Sequence, residues 1–299
     1  MSETILKIEN LCKNYGNLKA LTNLNVEVKS GTVFGILGPN GSGKTTTLGI
    51  LVGVLNASSG SFSWFGNGQE DANRRRIGTL LETPNFYPYL NAVQNLEIVA
   101  KIKRVENVTD EIQRVLQAVD LYARRLSEFR SFSLGMKQRL AIASALLGEP
   151  DVLVLDEPTN GLDPEGIAEI RSLIIDIAKE GKTIIVASHQ LDEIEKICNR
   201  VLILKNGVAL KESALDELTE KKRQVAISSD DLKRLEEVVA TINGAHIAKS
   251  THLELLIEVP ESYSAADINK FCFENGIVLN SLKEIQKSLE DQFLEIVKK

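Results

Sequence analysis

The chain has 299 residues, 43% of them hydrophobic and only 5% aromatic, so aliphatic side chains must build one large core and a smaller second one. No uninterrupted apolar stretch approaches the ~18 residues of a membrane span, and the opening Met-Ser-Glu-Thr has neither the basic nor the apolar region of a secretory signal, so the expected location is the cytoplasm. A formal charge of −6 argues against nucleic-acid binding, while Cys12, Cys198 and Cys272 lie too far apart to suggest a zinc site or a disulfide framework and are expected as buried thiols.

In chain order, the first candidate is Tyr15, which by itself reads as a strand-edge packing residue. Residues 33–37, Val-Phe-Gly-Ile-Leu, read as a short buried strand and residues 46–54 as a helix. Between them Gly38-Pro39-Asn40-Gly41-Ser42-Gly43-Lys44-Thr45 fits the phosphate-loop pattern, two glycines separated by four residues and followed by Lys and Thr. Glycines let successive backbone N–H groups close on phosphate, and a helix start favours negative charge. Lys44 would reach the β- and γ-phosphates and Thr45 would place its hydroxyl on Mg²⁺, with Thr46 completing the ATP-binding set.

Arg74-Arg75-Arg76 and Arg124-Arg125 are short basic runs expected as solvated faces. Residues 85–147 read as mostly helical, for example 92–103 and 109–120. Around Pro84 and Pro88 stand Phe86, Tyr87 and Tyr89, a run that fits either a docking surface for a partner helix or a pin for the local core. Phe132-Ser133-Leu134-Gly135-Met136-Lys137-Gln138-Arg139 leads into a helix over 135–147, with Ser133 as its N-cap.

After Asp151, the four apolar residues 152–155 run into Asp156-Glu157, so a strand buried on both faces delivers two carboxylates at its carboxyl end. Asp156 suits the Mg²⁺ held by Thr45, and Glu157, one residue further, is placed to polarise a water in line with the γ-phosphate as general base. Gly161-Leu162-Asp163 follows, with Asp163 able to cap a helix starting near Pro164. His189 ends the apolar strand 183–187, a place where a lone histidine is ordinarily structural.

These motifs, in this order over roughly residues 4 to 220, resemble the nucleotide-binding subunit of an ATP-binding cassette (ABC) transporter. The resemblance implies an α/β fold: a phosphate-loop core of mixed sheet plus a helical subdomain at about 85–147. It also implies a head-to-tail dimer in which two copies share each ATP. Tyr15 would then stack on adenine, and Ser133 and Gly135 would meet the γ-phosphate of ATP bound to the other copy. Asp163 would lie in the loop that crosses the dimer interface, and His189 would hydrogen-bond the γ-phosphate and the attacking water. Leu134 and Met136 depart from the family's Leu-Ser-Gly-Gly-Gln, but backbone N–H groups and the helix dipole hold an anion without those side chains.

Glu82, in Gly78-Thr79-Leu80-Leu81-Glu82-Thr83-Pro84, stands where the family carries a glutamine whose amide oxygen meets Mg²⁺ and the water. A carboxylate is a stronger oxygen ligand for the metal and adds charge beside the γ-phosphate; the alternative is that Glu82 points into solvent and an adjacent residue serves. The Glu-Thr-Pro and Ser-Leu-Gly-Met-Lys-Gln variants resemble ABC ATPases of export, self-immunity or resistance toward peptide antibiotics, with drug or lipid-like cargo as other possibilities. Such ATPases work with a separate integral-membrane permease, which would hold this chain on the inner face of the cell membrane. The alternative is a soluble ABC-type switch acting on a cytosolic machine. A ribosome-directed member would usually carry two ATP cores, and this chain has one unbroken core.

Residues 201–207 look like a hairpin and 214–222 like a helix, and Lys221-Lys222-Arg223 marks an expected boundary between an ATPase domain, 1–222, and an accessory α+β domain, 223–299. In the latter, strands at 224–227, 253–259 and 277–282 alternate with helices at 231–242 and 265–275 and a last helix from Ser288, which suggests a mainly antiparallel sheet. His246 and His252 are expected at the surface, and dimer support or regulation is the expected role.

Overall fold

Aliphatic runs with no polar interruption cannot leave either face in water, and they become the buried centre of a parallel sheet. The computed structural model describes residues 3–66, 71–81, 85–218, 222–260 and 262–285. The chain divides into two units, Met1–Leu215 and Asp216–Lys299.

The first unit opens with β1 (Thr4–Tyr15), β2 (Leu18–Lys29), β3 (Val33–Leu37), α1 (Lys44–Leu51) and β4 (Ser59–Trp64). Next come α2 (Asp71–Arg75), β5 (Ile77–Leu80), α3 (Ala92–Lys103), α4 (Val108–Ala118) and α5 (Leu134–Leu146). It closes with β6 (Val152–Asp156), α6 (Pro164–Lys179), β7 (Thr183–Ser188), α7 (Leu191–Ile197), β8 (Arg200–Lys205) and β9 (Val208–Ala214), and the single turn α8 (Leu215–Leu218) starts at the unit's last residue. Six strands form one sheet in the order β5-β6-β7-β3-β8-β9, parallel except for β9 against β8. A second, antiparallel sheet runs β2-β1-β4. In β2 buried and exposed residues alternate, as a strand with one wet face requires.

The register decides which strand ends meet. Leu37 pairs with Ser188 and Asp156 with Ala187, so the carboxyl ends of β3, β7 and β6 lie side by side. The hairpin joining β8 and β9 turns at Asn206-Gly207, both at positive φ (50° and 76°), which is the backbone of a tight two-residue turn.

The helical segment is built locally. Asn91 and Gln94 form a reciprocal capping box at the start of α3, and α4 buries Ile112, Val115 and Leu116 while Asp110 and Glu111 occupy its first turn. No helix among the described residues is long and apolar enough to cross a membrane.

The second unit contains β10 (Lys222–Ser228), α9 (Leu232–Val239), β11 (His246–Ser250), β12 (Leu255–Pro260), α10 (Ala265–Glu274) and β13 (Ser281–Ile285). Its sheet is antiparallel throughout, in the order β11-β12-β10-β13. Val225, Ile227, Leu255, Ile257 and Val259 point from it onto Leu235, Val239, Ile268 and Cys272 of the two helices.

Several expectations need correction. The helix expected over 46–54 begins at Lys44 and stops at Leu51, because Gly43 (φ 108°) and Gly53 (φ 80°) hold left-handed backbone on either side. Cys12 is half-exposed, with its Sγ accepting the Asn23 N–H at 3.2 Å; Cys198 and Cys272 are buried, and burial pushes both thiols up. The expected helix over 214–222 is a strand to Ala214 and a single turn to Leu218. Lys222 and Arg223 already pair with Pro260 and Val259, so the charge run opens β10 and the two units part at 215/216. The strand expected at 277–282 forms later: Ile277 turns back so that its N–H reaches Cys272 O at 2.9 Å, and β13 starts at Ser281. β11 went unread because, apart from half-buried Ile247, its residues are exposed and carry no apolar alternation. The helix expected from Ser288 lies outside the described residues.

Gly78 in β5 shows how tightly the helical segment meets the sheet, since a Cβ there would lie 2.2 Å from the Ala145 carbonyl oxygen at the end of α5. Gly78→Ala is therefore expected to destabilise the first unit by about 1–3 kcal/mol. Thermal unfolding followed by circular dichroism checks it, and an unchanged midpoint would refute the close approach.

Candidate functional site

Residues 38–43 connect the carboxyl end of β3 to α1 and can follow only one path. A Cβ on Gly38 would fall 2.2 Å from Leu204 O and 2.6 Å from Ser42 Oγ, so no larger residue fits there. Gly43 caps α1 in the left-handed region with no side-chain bond to the first turn, leaving the early N–H groups of the helix without an intrahelical partner. Ser42 Oγ, in a residue 1% exposed, has no hydrogen-bond partner among the described residues. A hydroxyl of that kind, beside open helix N–H groups, suits an oxyanion.

The loop is braced from behind by the β8–β9 turn. Gly207 N–H donates to Ser42 O at 2.8 Å, and Thr22 N–H of β2 donates to Gly207 O at 2.8 Å.

Lys44 is 5% exposed, and its Nζ lies 2.9 Å from Gly38 O, 3.4 Å from Pro39 O and 3.3 Å from Glu157 Oε1. The other oxygen of Glu157 lies 2.8 Å from His189 Nδ1 and accepts the His189 backbone N–H at 3.4 Å. Glu157 holds a left-handed backbone (φ 47°), a conformation that costs a non-glycine residue on the order of 1–3 kcal/mol. Its own N–H donates to Ala187 O at 2.9 Å, which fixes it beside β7. Three of the sequence-derived residues, Lys44, Glu157 and His189, thus share one carboxylate at the ends of neighbouring strands.

Asp156, 2% exposed, ends β6, while Thr45 is exposed and Thr46 half-buried in the first turn of α1. A threonine hydroxyl and a carboxylate are hard oxygen donors, the set that suits Mg²⁺, which takes few protein ligands and keeps phosphate oxygens and water. Glu82 lies outside the described residues. Tyr15 ends β1 with its side chain exposed and Lys13 Nζ 4.9 Å from its ring centroid.

Two residues went unread in the sequence. Ser188 Oγ donates to Glu193 Oε2 at 3.1 Å and accepts the Gln190 N–H at 3.0 Å, while its carbonyl accepts Gly38 N–H at 3.4 Å. Ser188 and the buried Glu193 therefore fix the backbone on both sides of His189. Only the position of Ser188 just before His189 could have signalled this.

Ser133 and Gly135 lie elsewhere. Ser133 Oγ accepts the Met136 N–H at 3.3 Å as the N-cap of α5, and Asp163 Oδ1 accepts the Gly166 N–H at 3.0 Å as the N-cap of α6. Together they line a cleft of about 650 Å³ that also holds Leu162, Arg139 and Glu169, the last two paired at 2.6 Å. No residue of the loop 38–46 lines that cleft.

The aromatic run divides its work. Phe86 is half-buried with its ring 5.2 Å edge-on from Phe129, whereas Tyr87 and Tyr89 are exposed. Asn95, 1% exposed, holds this segment through both the N–H and the carbonyl of Tyr87.

Comparison with known proteins gives consistent matches. The family model described as "ABC transporter" matches residues 21–160. The bacitracin transport ATP-binding protein BcrA of Bacillus licheniformis is 39% identical over 308 residues, covering 98% of this chain and 97% of that protein. The lantibiotic transport ATP-binding protein SrtF of Streptococcus pyogenes is 40% identical over 212 residues, covering 71% of this chain and 92% of that one. A solved ATP-binding cassette, dimeric and in a post-hydrolysis state with ADP and Pi, is 28% identical with a TM-score of 0.62, covering 71% of this chain and 99% of that one.

Proposed function

The chain belongs to the ABC transporter family, as the ATP-hydrolysing subunit of an exporter with a separate permease, and from that premise we propose that two copies close head to tail over two ATP molecules. The observation that carries this reading is the separation within one copy: Ser133, Gly135 and Asp163 share a cleft that contains none of the copy's own phosphate loop. A second copy brings the two halves together.

ATP phosphates enter the loop 38–46 and compete for Lys44, whose Nζ leaves the carbonyls of Gly38 and Pro39 and the carboxylate of Glu157. Glu157 then keeps His189 as its partner and takes up a water in line with the γ-phosphate as general base. With Nδ1 donating a hydrogen bond to the Glu157 carboxylate, Nε2 of a neutral His189 is left as an acceptor for the attacking water. Thr45 and Asp156 would hold Mg²⁺, with Glu82 as a further oxygen donor, and the ion would supply neutralisation of phosphate charge. Tyr15 offers its exposed ring to adenine.

The partner beyond the dimer is an integral-membrane permease, which keeps the chain on the inner face of the membrane. Exposed Tyr87 and Tyr89, on a backbone fixed by Asn95, form the docking surface for it. The names of BcrA and SrtF support a peptide-antibiotic cargo and favour transport over a switch on a cytosolic machine.

Glu157→Gln is expected to lower kcat at least ~100-fold and to accumulate an ATP-bound dimer, read by light scattering. Rapid turnover by that variant would remove Glu157 as base. Glu82→Gln is expected to shift both the Mg²⁺ titration and the ATPase rate. If it changes neither, Glu82 is no ligand.

A further inference from the structure

The helix that starts at Ser133 ends 13 residues later in a cluster with no part in the hydrolytic chemistry of Lys44, Glu157 and His189. Helix geometry leaves the last carbonyls of α5 without intrahelical donors. Here Lys103 Nζ, from the end of α3, donates to Ser144 O at 2.9 Å, Ala145 O at 3.1 Å and Leu147 O at 3.3 Å. Arg114 of α4 donates to Leu146 O at 3.2 Å and is itself held by two bonds to Glu111, at 2.7 and 2.8 Å. Glu111 Oε1 closes the cluster by accepting the Gly148 N–H at 2.8 Å.

On the opposite side, the Ala145 carbonyl rests against β5 at Gly78, so close that a Cβ would reach it at 2.2 Å. One carbonyl oxygen is therefore held between the Lys103 ammonium and the sheet backbone. Burial pulls the Lys103 amine down to about 8, with the negative charge of Glu111 working against it, so the group is still mostly charged at neutral pH. A methionine or leucine would fill this space without desolvating a charge. What the ammonium adds is direction: three acceptors fix it, and its charge complements the carboxyl end of the helix dipole.

We propose that Lys103 is a positioning residue for ATP hydrolysis, pinning the carboxyl end of α5 to α3, with β5 packed on the other side of that end, so that the amino end, roughly 20 Å away, presents Ser133 and Gly135 to nucleotide held by a second copy. This rests on the two-copy reading of the site. Helix α5 then acts as a lever about a fixed end at Ala145, and β5, which packs on the other side of that joint, continues in sequence toward Glu82.

The test uses the full chain with Lys103→Met, which keeps the aliphatic stem and loses every donor, and Lys103→Arg, which keeps charge and donors. ATP-driven dimerisation is read by light scattering in the Glu157→Gln background, kcat and KM are read with Glu157 intact, and ADP binding to the chain's own phosphate loop is read by calorimetry. Lys103→Met is expected to lower kcat and dimerisation by ~10-fold while ADP affinity stays within about two-fold, and Lys103→Arg to restore most of the loss. Dimerisation and kcat within about two-fold of the parent overturn the proposal, as does a parallel fall in ADP affinity, which marks a merely structural role. If Lys103→Met does not fold, Lys103→Gln is judged by the same outcomes, and a chain that folds with neither overturns the proposal too. Ser133→Arg tells the two failures apart. If it leaves the dimer intact, the two-copy reading falls and takes this proposal with it, whereas a Ser133 effect beside a silent Lys103→Met overturns Lys103 alone.

Discussion

The Lys44 ammonium is the interaction on which the site depends. A cation this deeply buried is costly unless oxygen atoms surround it, and its three come from two separate places, the phosphate loop and the carboxylate that follows β6. The link therefore crosses over β7, which lies between β6 and β3 in the sheet. The parallel, doubly buried strands leave polar chemistry nowhere to go except their carboxyl edge, and Lys44 joins the pieces delivered there. In the proposed reading an arriving phosphate would compete for this ammonium, so occupation of the loop would be sensed at Glu157 and, through it, at His189.

Much of this was legible in the sequence where local backbone geometry dictates residue type. Gly38 admits no Cβ, Gly43 must be left-handed, and two acids after four apolar residues must emerge at a strand end, so the motif and the geometry are one fact. Ser133 and Asp163 were readable as caps for the same reason. Support from a distance was not legible. Ser188 and Glu193 act through hydrogen bonds to backbone atoms brought near by the sheet register, and no periodicity announces them. Lys103 sits where a helical pattern makes a lysine look like a solvated residue, yet three carbonyls 41 to 44 residues further along the chain accept its hydrogen bonds.

The second unit gives the opposite lesson. Its strands alternate clearly in β12, where Leu255, Ile257 and Val259 are buried, but β11 is mostly exposed and is held by pairing and by Ile247 alone against the core. Ile277 illustrates how an apolar residue next to a glycine can close a helix instead of opening a strand. Pattern reading succeeds there for whatever faces the core and fails for edges and caps.

The turn at Asn206-Gly207 has a consequence for how the fold can vary. Hairpin tips are ordinarily where chains gain and lose residues over evolutionary time, because nothing leans on them. This one holds Ser42 with one backbone group and β2 with the other, and a Cβ on Gly207 would lie 2.5 Å from the Ala20 carbonyl. A length change at this tip is, in mechanical terms, a length change in the phosphate loop, although 164 residues separate Gly43 from Gly207 in sequence.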